Sequence, residues 1–324
     1  MPVIDFEEAL ELTDGGDRCI LLGNGFSIAQ SGNNFTYRNL LDRSGLENGT
    51  PIRNVFDEFE TTDFEEVMFA LEQAADVETA YGNDDQADLF LEDAGRVREA
   101  LIRAIHTVHP EIQFDIPQNQ LAACADFLNN FEEIYTLNYD LLLYWTILNS
   151  QELRFSDGFG LGQEVNGFRT FSPEAHCSIY YLHGALHIFV DAQKETQKRV
   201  VTGDTIISDI ARTIRRQRRL PLFVSEGTTG QKLSKINSVP YLHHAHNKLR
   251  ELQGSMFVFG HSAHQNDTHV YRAIFSSGIS NLVVCVHNPH ENLEEIEDRI
   301  AHFARRREHI DIRYVDAASV AVWG

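Results

Sequence analysis

Gly23, Asn24, Gly25, Phe26 and Ser27 put two glycines one residue apart and a hydroxyl two residues further on. Lacking Cβ atoms, such glycines let a backbone approach a pyrophosphate, and a helix opening there adds free N–H groups and a positive dipole end. Ile28 stands where the dinucleotide fingerprint has its third glycine, which disfavours a hydride-transferring Rossmann enzyme. The same five residues also fit a plain strand-to-helix turn. In Thr136, Leu137, Asn138, Tyr139, Asp140 an amide and a carboxylate follow an apolar run. They suit a ribose hydroxyl, a water or a carboxamide, and equally an Asx turn that ends a strand. His183, ahead of Gly184, offers a base near neutral pH or a satisfied core histidine. Gly260, His261, Ser262 and Asn288 close two further apolar runs with small or polar residues.

The elements that must position these groups follow from apolar runs and their punctuation. A short helix is expected over 5–12, then a buried strand over 17–22 that stops at Gly23 and a helix from Ser27. A helix over 121–129 leads to a strand over 133–137. Strands over 178–182, 256–259 and 281–286 run into His183, Gly260 and His287, and 310–315 adds one more. Ligands of a parallel α/β sheet bind at the carboxyl ends of its strands, so these polar tips are expected to converge on one crevice. From Val55 to Glu99 the chain turns acidic, with helical apolar spacing at Phe56, Phe59, Phe64, Val67, Met68 and Leu71. The expected architecture is therefore a doubly wound, mostly parallel, Rossmann-like α/β sheet in a single domain over 1–324. An acidic helical module is inserted at 55–130.

Taken in this order, the motifs resemble the sirtuin superfamily over most of the chain. A sirtuin carries a Gly-Ala-Gly-Ile-Ser loop, a Thr-Gln-Asn-Ile-Asp segment, a His-Gly pair, a Gly-Thr-Ser segment and an Asn after a late strand. Here stand Gly23 to Ser27, Thr136 to Asp140, His183 with Gly184, Gly260 to Ser262, and Asn288. Phe35, Tyr37 and Arg38 are similar to the Asp-Phe-Arg of the sirtuin cofactor loop. Two close cysteine pairs bind zinc in sirtuin deacylases, and Cys19, Cys124, Cys177 and Cys285 make no such pair. In detail the motifs resemble bacterial sirtuin-like antiphage proteins and the related AbiH abortive-infection group.

That resemblance implies an NAD glycohydrolase acting in antiphage defence by depleting NAD, with no metal. It implies that Asn138 positions the nicotinamide ribose and the attacking water, and that His183 is the base at the ribose. Asp140 would orient the carboxamide; Gly23, Gly25 and Ser27, within the loop that includes Asn24 and Phe26, would hold the diphosphate. Ser262, after Gly260, and Asn288 would hold the adenosine half, and Arg38 would belong to the cofactor loop. Oriented dipoles in a dry site stabilise the positive charge that builds on the ribose. A toxic turnover needs restraint, which implies a homo-oligomer, a closed site or a partner such as a HerA-type ATPase. A non-catalytic NAD or ADP-ribose sensor is the alternative, and a protein deacylase ranks third because the zinc cysteines are missing.

Composition narrows the classes further. With 324 residues, 43% of them hydrophobic, the chain can bury a full core. Its apolar runs are far shorter than the roughly 20 residues of a membrane span. The start, from Met1 to Glu8, has no basic, apolar secretory leader, so a cytoplasmic location is expected. The scattered cysteines are expected as small buried hydrophobes. A net charge of −21 opposes polyanion binding except at short basic runs, Arg212 to Arg219 and Arg305 to Arg307. His243, His244, His246 and His261, His264, His269 match no standard metal spacing, and no Gly-x-Ser-x-Gly marks a hydrolase triad. Residues 221–232 are expected to form a lid or positioning loop.

Overall fold

The structure is a computed structural model describing residues 2–31, 37–110, 113–150, 153, 155–161, 163–191, 193–200, 206–224, 229–304 and 310–324. Its strands are β1 (Val3–Ile4), β2 (Arg18–Leu22), β3 (Glu133–Thr136), β4 (Phe168–Thr170), β5 (Ile179–Tyr181), β6 (Gly184–Val190), β7 (Thr196–Arg199), β8 (Pro221–Phe223), β9 (Gln253–Phe259), β10 (Gly278–Val286) and β11 (Asp311–Asp316). Seven of them form a sheet in the order β1-β11-β10-β9-β2-β3-β5, and each neighbouring pair is parallel.

Strands covered on both faces read as continuous apolar runs, because alternate side chains enter opposite layers. Ile20 and Leu22 of β2 join Phe257, Phe259, Val283 and Val315 in one core layer. Cys19 and Leu21 join Met256, Val258, Leu282 and Val284 in the other. The helices Phe6–Leu12 and Gln118–Leu128 cover the first layer through Phe6, Leu121 and Phe127. On the opposite face, the helices Pro240–Arg250, Thr268–Ser276 and Pro289–Ala304 supply Leu249, Tyr271, Ile274 and Ile300. This is the doubly wound α/β architecture expected. All four cysteines are free and buried, as small hydrophobes should be.

From β2 the chain adds β3 and β5 on one side, then crosses to lay down β9, β10 and β11 on the other. The switch point therefore falls between β2 and β9, where the two outgoing loops diverge and leave a crevice. Between β2 and β3 come the helices Pro51–Glu58, Phe64–Ala80 and Asp84–Val108, where helical apolar spacing is expected from Val55. Asp63 starts the second of them, accepting from Glu65 N at 2.8 Å.

A second sheet has no counterpart in the expectations from sequence. Its order is β4-β7-β6-β8, with antiparallel neighbours. Its strand β6 begins at Gly184, one residue past His183. With φ +80° and an added Cβ only 2.0 Å from Leu222 O, Gly184 turns the chain from one sheet into the other. The expected loop over 221–232 instead starts as β8 and resumes as the helix Thr229–Ser238; residues 225–228 lie outside the described ones.

Candidate functional site

At the switch point the two glycine turns lock together. Gly23 N donates to Phe259 O and Gly25 N to Gly260 O, both at 2.8 Å. A Cβ on Gly25 would lie 2.5 Å from Gly260 Cα, and one on Gly260, where φ is +73°, would lie 2.5 Å from Phe26 N. Absence of side chains at all three positions is thus required by turn-on-turn packing, whatever ligand lies above them. The helix Asn24–Ser31 starts at this junction, and Trp323 Nε1 fastens it from behind by donating to Phe26 O at 2.8 Å.

Asn138, at the end of β3, is held by both amide hydrogens. Nδ2 donates to Gly23 O at 3.0 Å and to Ser27 Oγ at 3.1 Å. Because the Gly23 carbonyl can only accept, the amide orientation is settled by its partner. The Asn138 carbonyl oxygen has no partner among the described residues. Ser27 donates in turn to Asp140 Oδ2, whose other oxygen accepts from Leu142 N at 2.9 Å. Burial raises the Asp140 carboxyl above its ordinary value, and the bond from Ser27 pulls partly the other way.

These placements sort the expected residues. Asn24, Gly25, Asn138, His183, Gly260 and Ser262 line one cavity of about 750 Å³, within the roughly 300–1,000 Å³ of small-molecule sites. Gly23, Phe26, Ser27 and Asp140 lie behind that wall: Phe26 packs on Trp323 at 4.9 Å, and the Ser27 hydroxyl, expected at the diphosphate, is spent on Asp140. Asn288 is exposed with φ +45°, and its backbone oxygen accepts from Glu291 N at 2.9 Å at the start of the helix Pro289–Ala304. The nearby polar groups on the cavity are His287, Asn292, Glu295 and Arg299. Arg38 lies in the helix Tyr37–Arg43, but its side chain, like all of Phe35, lies outside the described ones.

His183 is 3% exposed, next to a charged cluster that one-dimensional spacing conceals. Asp267 Oδ1 accepts from Lys232 Nζ at 2.7 Å and lies 3.9 Å from His183 Nε2. His261 Nδ1 accepts from Ala263 N at 3.0 Å, so its proton sits on Nε2 and is donated to Asp267 Oδ2 at 3.1 Å. Burial alone would raise the Asp267 carboxyl. The bond from His261 and the charges around it outweigh burial and hold it well below the usual carboxylate range.

Behind His183 stands His269, with the two Nε2 atoms 3.0 Å apart. The ring centroids are 5.2 Å apart and the planes differ by 23°. Those values describe rings set end to end, nitrogen facing nitrogen. Donor atoms of His183, Asp267 and His269 all fall within 4.8 Å, as a metal group would. The two ring nitrogens nevertheless point at each other rather than at a shared third point, the geometry of an N–H···N hydrogen bond. Desolvation lowers the pKa of His183 well below its ordinary value and that of His269 to about 3, so both rings are neutral at pH 7.

The basic run over 212–219 is partly engaged within the protein. Arg215 forks onto both oxygens of Glu99 at 2.7 Å, and Arg219 lies over the Phe168 ring at 4.6 Å. Residues 305–309 lie outside the described ones. No helix among the described residues is long and apolar enough to cross a membrane.

A family model described as a domain of unknown function, DUF4917, matches residues 20–323. No curated protein matches the chain. Among solved structures, the chain is similar to Sir2Tm bound to a propionylated peptide, at 14% identity and a TM-score of 0.38, covering 98% of this chain and 94% of that one. It is also similar to a Sir2 homologue in complex with NAD, at 12% identity and a TM-score of 0.36, covering 94% and 95%.

Proposed function

We propose, for a chain that belongs to the DUF4917 family of domains of unknown function, that the crevice hydrolyses the N-glycosidic bond of NAD, giving nicotinamide and ADP-ribose. One observation carries this reading: Asn138 is held by Gly23 and Ser27 with its carbonyl oxygen unpartnered, on the same cavity as a neutral His183. The sirtuin-like order of the motifs supplies the choice of NAD.

In this mechanism the Asn138 oxygen accepts a hydrogen bond from the attacking water and fixes its line of approach to the ribose C1′. The glycosidic pair of electrons leaves with the nicotinamide nitrogen, the water oxygen bonds to C1′, and His183 takes the proton set free. No acid is needed at the leaving group, because the pyridinium departs as neutral nicotinamide. The diphosphate lies over Asn24, Gly25 and the start of the helix Asn24–Ser31, where the positive end of the helix dipole suits an anion. Asp140 and Ser27 hold Asn138 in place without touching substrate. Depletion of NAD in antiphage defence, in a homo-oligomer or with a HerA-type partner, is the biological setting that the motif resemblance supports.

The test is release of nicotinamide from NAD by the purified protein beside Asn138→Ala and His183→Ala. Turnover by the unaltered protein, lost in both variants while NAD still binds, supports the reading. Binding without turnover favours a sensor, and turnover only with an acyl-lysine peptide favours a deacylase.

A further inference from the structure

Arg219 closes the basic run that opens at Arg212 and is its half-buried member; Arg212, Arg215, Arg216 and Arg218 are exposed. It makes no ion pair among the described residues, and its one hydrogen bond there runs from Nη2 to Gln197 Oε1 at 3.1 Å. We propose that Arg219 is the centre of a second binding site, on the four-stranded sheet and separate from the crevice, that takes a small phosphorylated sugar or polyol by its phosphoryl group. This site stands whether or not the crevice cleaves NAD.

A cavity of about 260 Å³ lies there, with Gln163, Asn166, Phe168, Thr170, Gln217 and Arg219 on its wall. It shares no residue with the crevice. Its volume falls just below the roughly 300–1,000 Å³ of drug-sized ligand sites, which leaves room for a phosphate on a short carbon chain but not for a dinucleotide. Strand pairing builds it. Phe168 stands opposite Arg199 and Thr170 opposite Gln197 across β4 and β7, so these four side chains share one face of the sheet. Arg218, at φ +54°, lies between Gln217 and Arg219, which both reach the cavity.

The Arg219 guanidinium lies over the Phe168 ring at 4.6 Å, and Arg199 lies over the same ring at 5.0 Å. Arg199 has Asp209 as counter-ion at 3.8 Å. Burial works against the Arg219 charge, and Asp191, whose charge partly offsets that, is already engaged: its oxygens accept from Gln193 N, Glu195 N and Gln197 Nε2. A ring face attracts the charge but leaves the N–H groups unsatisfied. Arg219 Nε is buried with no hydrogen-bond partner, and Nη1 has none among the described residues.

A guanidinium held against a ring and tethered at one nitrogen is preorganised for an oxyanion. Two cations against one ring suit the double charge of a phosphoryl group better than the single charge of a carboxylate. The carboxamides of Gln163, Asn166 and Gln217 make no hydrogen bond among the described residues. Each offers donors and an acceptor, which matches the hydroxyl groups of a sugar or polyol.

The test is isothermal titration calorimetry of the full chain with ribose 5-phosphate, inorganic phosphate and ribose. Ribose 5-phosphate should bind with a Kd at or below about 1 mM, phosphate more weakly, and ribose not at all. Arg219→Gln should weaken ribose 5-phosphate by about tenfold or more. Gln217→Ala, an exposed change that leaves the packing on Phe168 intact, should weaken ribose 5-phosphate and leave phosphate unaltered. Saturating ADP-ribose, which belongs in the crevice, should not compete. Equal affinity in the unaltered protein and Arg219→Gln, displacement by ADP-ribose, or no binding of either phosphate compound would overturn the site. Phosphate binding as tightly as ribose 5-phosphate would overturn the sugar or polyol assignment.

Discussion

Asn138 reaches from the end of β3 to give one amide hydrogen to the carbonyl oxygen of Gly23, 3.0 Å away at the end of β2. This bond ties two motifs 115 residues apart. Since Nδ2 is consumed at Gly23 and Ser27, only the amide oxygen remains for a ligand.

Asn138→Asp preserves shape but sets a carboxylate oxygen against the Gly23 carbonyl, so a buried donor is lost and two acceptors face each other. The fold should lose about 1–3 kcal/mol, measured by urea unfolding. Nicotinamide release should fall by about a hundredfold or more.

Ser27→Ala separates two roles for the hydroxyl. If Ser27 acts through Asn138 and Asp140, kcat for nicotinamide release should drop while the KM for NAD stays near its original value. A rise in KM with kcat unchanged would instead return Ser27 to the diphosphate.

Gly260→Ala places a Cβ 2.5 Å from Phe26 N at a residue with φ +73°. The left-handed conformation alone costs an L-residue roughly 1–2 kcal/mol, and the clash against backbone adds to it. Thermal unfolding should show a large drop in Tm or no folded protein. Gly49 also has a positive φ but nothing within 4 Å, so Gly49→Ala should show the smaller effect of strain alone.

Acid should destabilise the fold. His183, His187 and His269 are buried with pKa values lowered by desolvation, and His109 is brought to about 4 for the same reason. Above the ordinary histidine value of 6.5, neither state takes up protons at these rings, and their contribution does not change with pH. Below it the unfolded chain binds protons that the folded one refuses, so stability falls as pH drops, by up to about 1.4 kcal/mol per pH unit for each ring. Urea midpoints should stay nearly level from pH 7.5 to about 6.5 and decline from there to pH 5.5. A flat profile would mean that these rings carry charge in the folded protein.

Trp323→Ala removes a nearly buried indole and its bond to Phe26 O, beneath the helix that opens the crevice. The expected cost is about 3–5 kcal/mol in unfolding free energy. Nicotinamide release should weaken as well, because that helix no longer holds the glycine turn.

The chain's sequence determined the sheet and the placing of its loops. Runs such as Cys19 to Leu22 and Leu282 to Val286 bury both faces of a strand, and the small or polar residues after them mark carboxyl ends. Local composition suffices for that, because burial of consecutive apolar residues and a stop at glycine are properties of a few adjacent positions. Tertiary structure alone decided which polar groups face a ligand and which face one another. Ser27 and Asp140 look like ligand contacts in the sequence, yet they spend themselves on each other and on Asn138. Lys232, Asp267, His269 and His246 belong to no motif, but helix packing over the sheet brings them behind His183. The second sheet was hidden for a related reason: three of its four strands, β4, β7 and β8, are short, and β4 pairs with β7 and β6 with β8 across tens of positions. Hydrogen bonds of this kind depend on ångström separations between residues tens of positions apart, and that information arises only when the core closes.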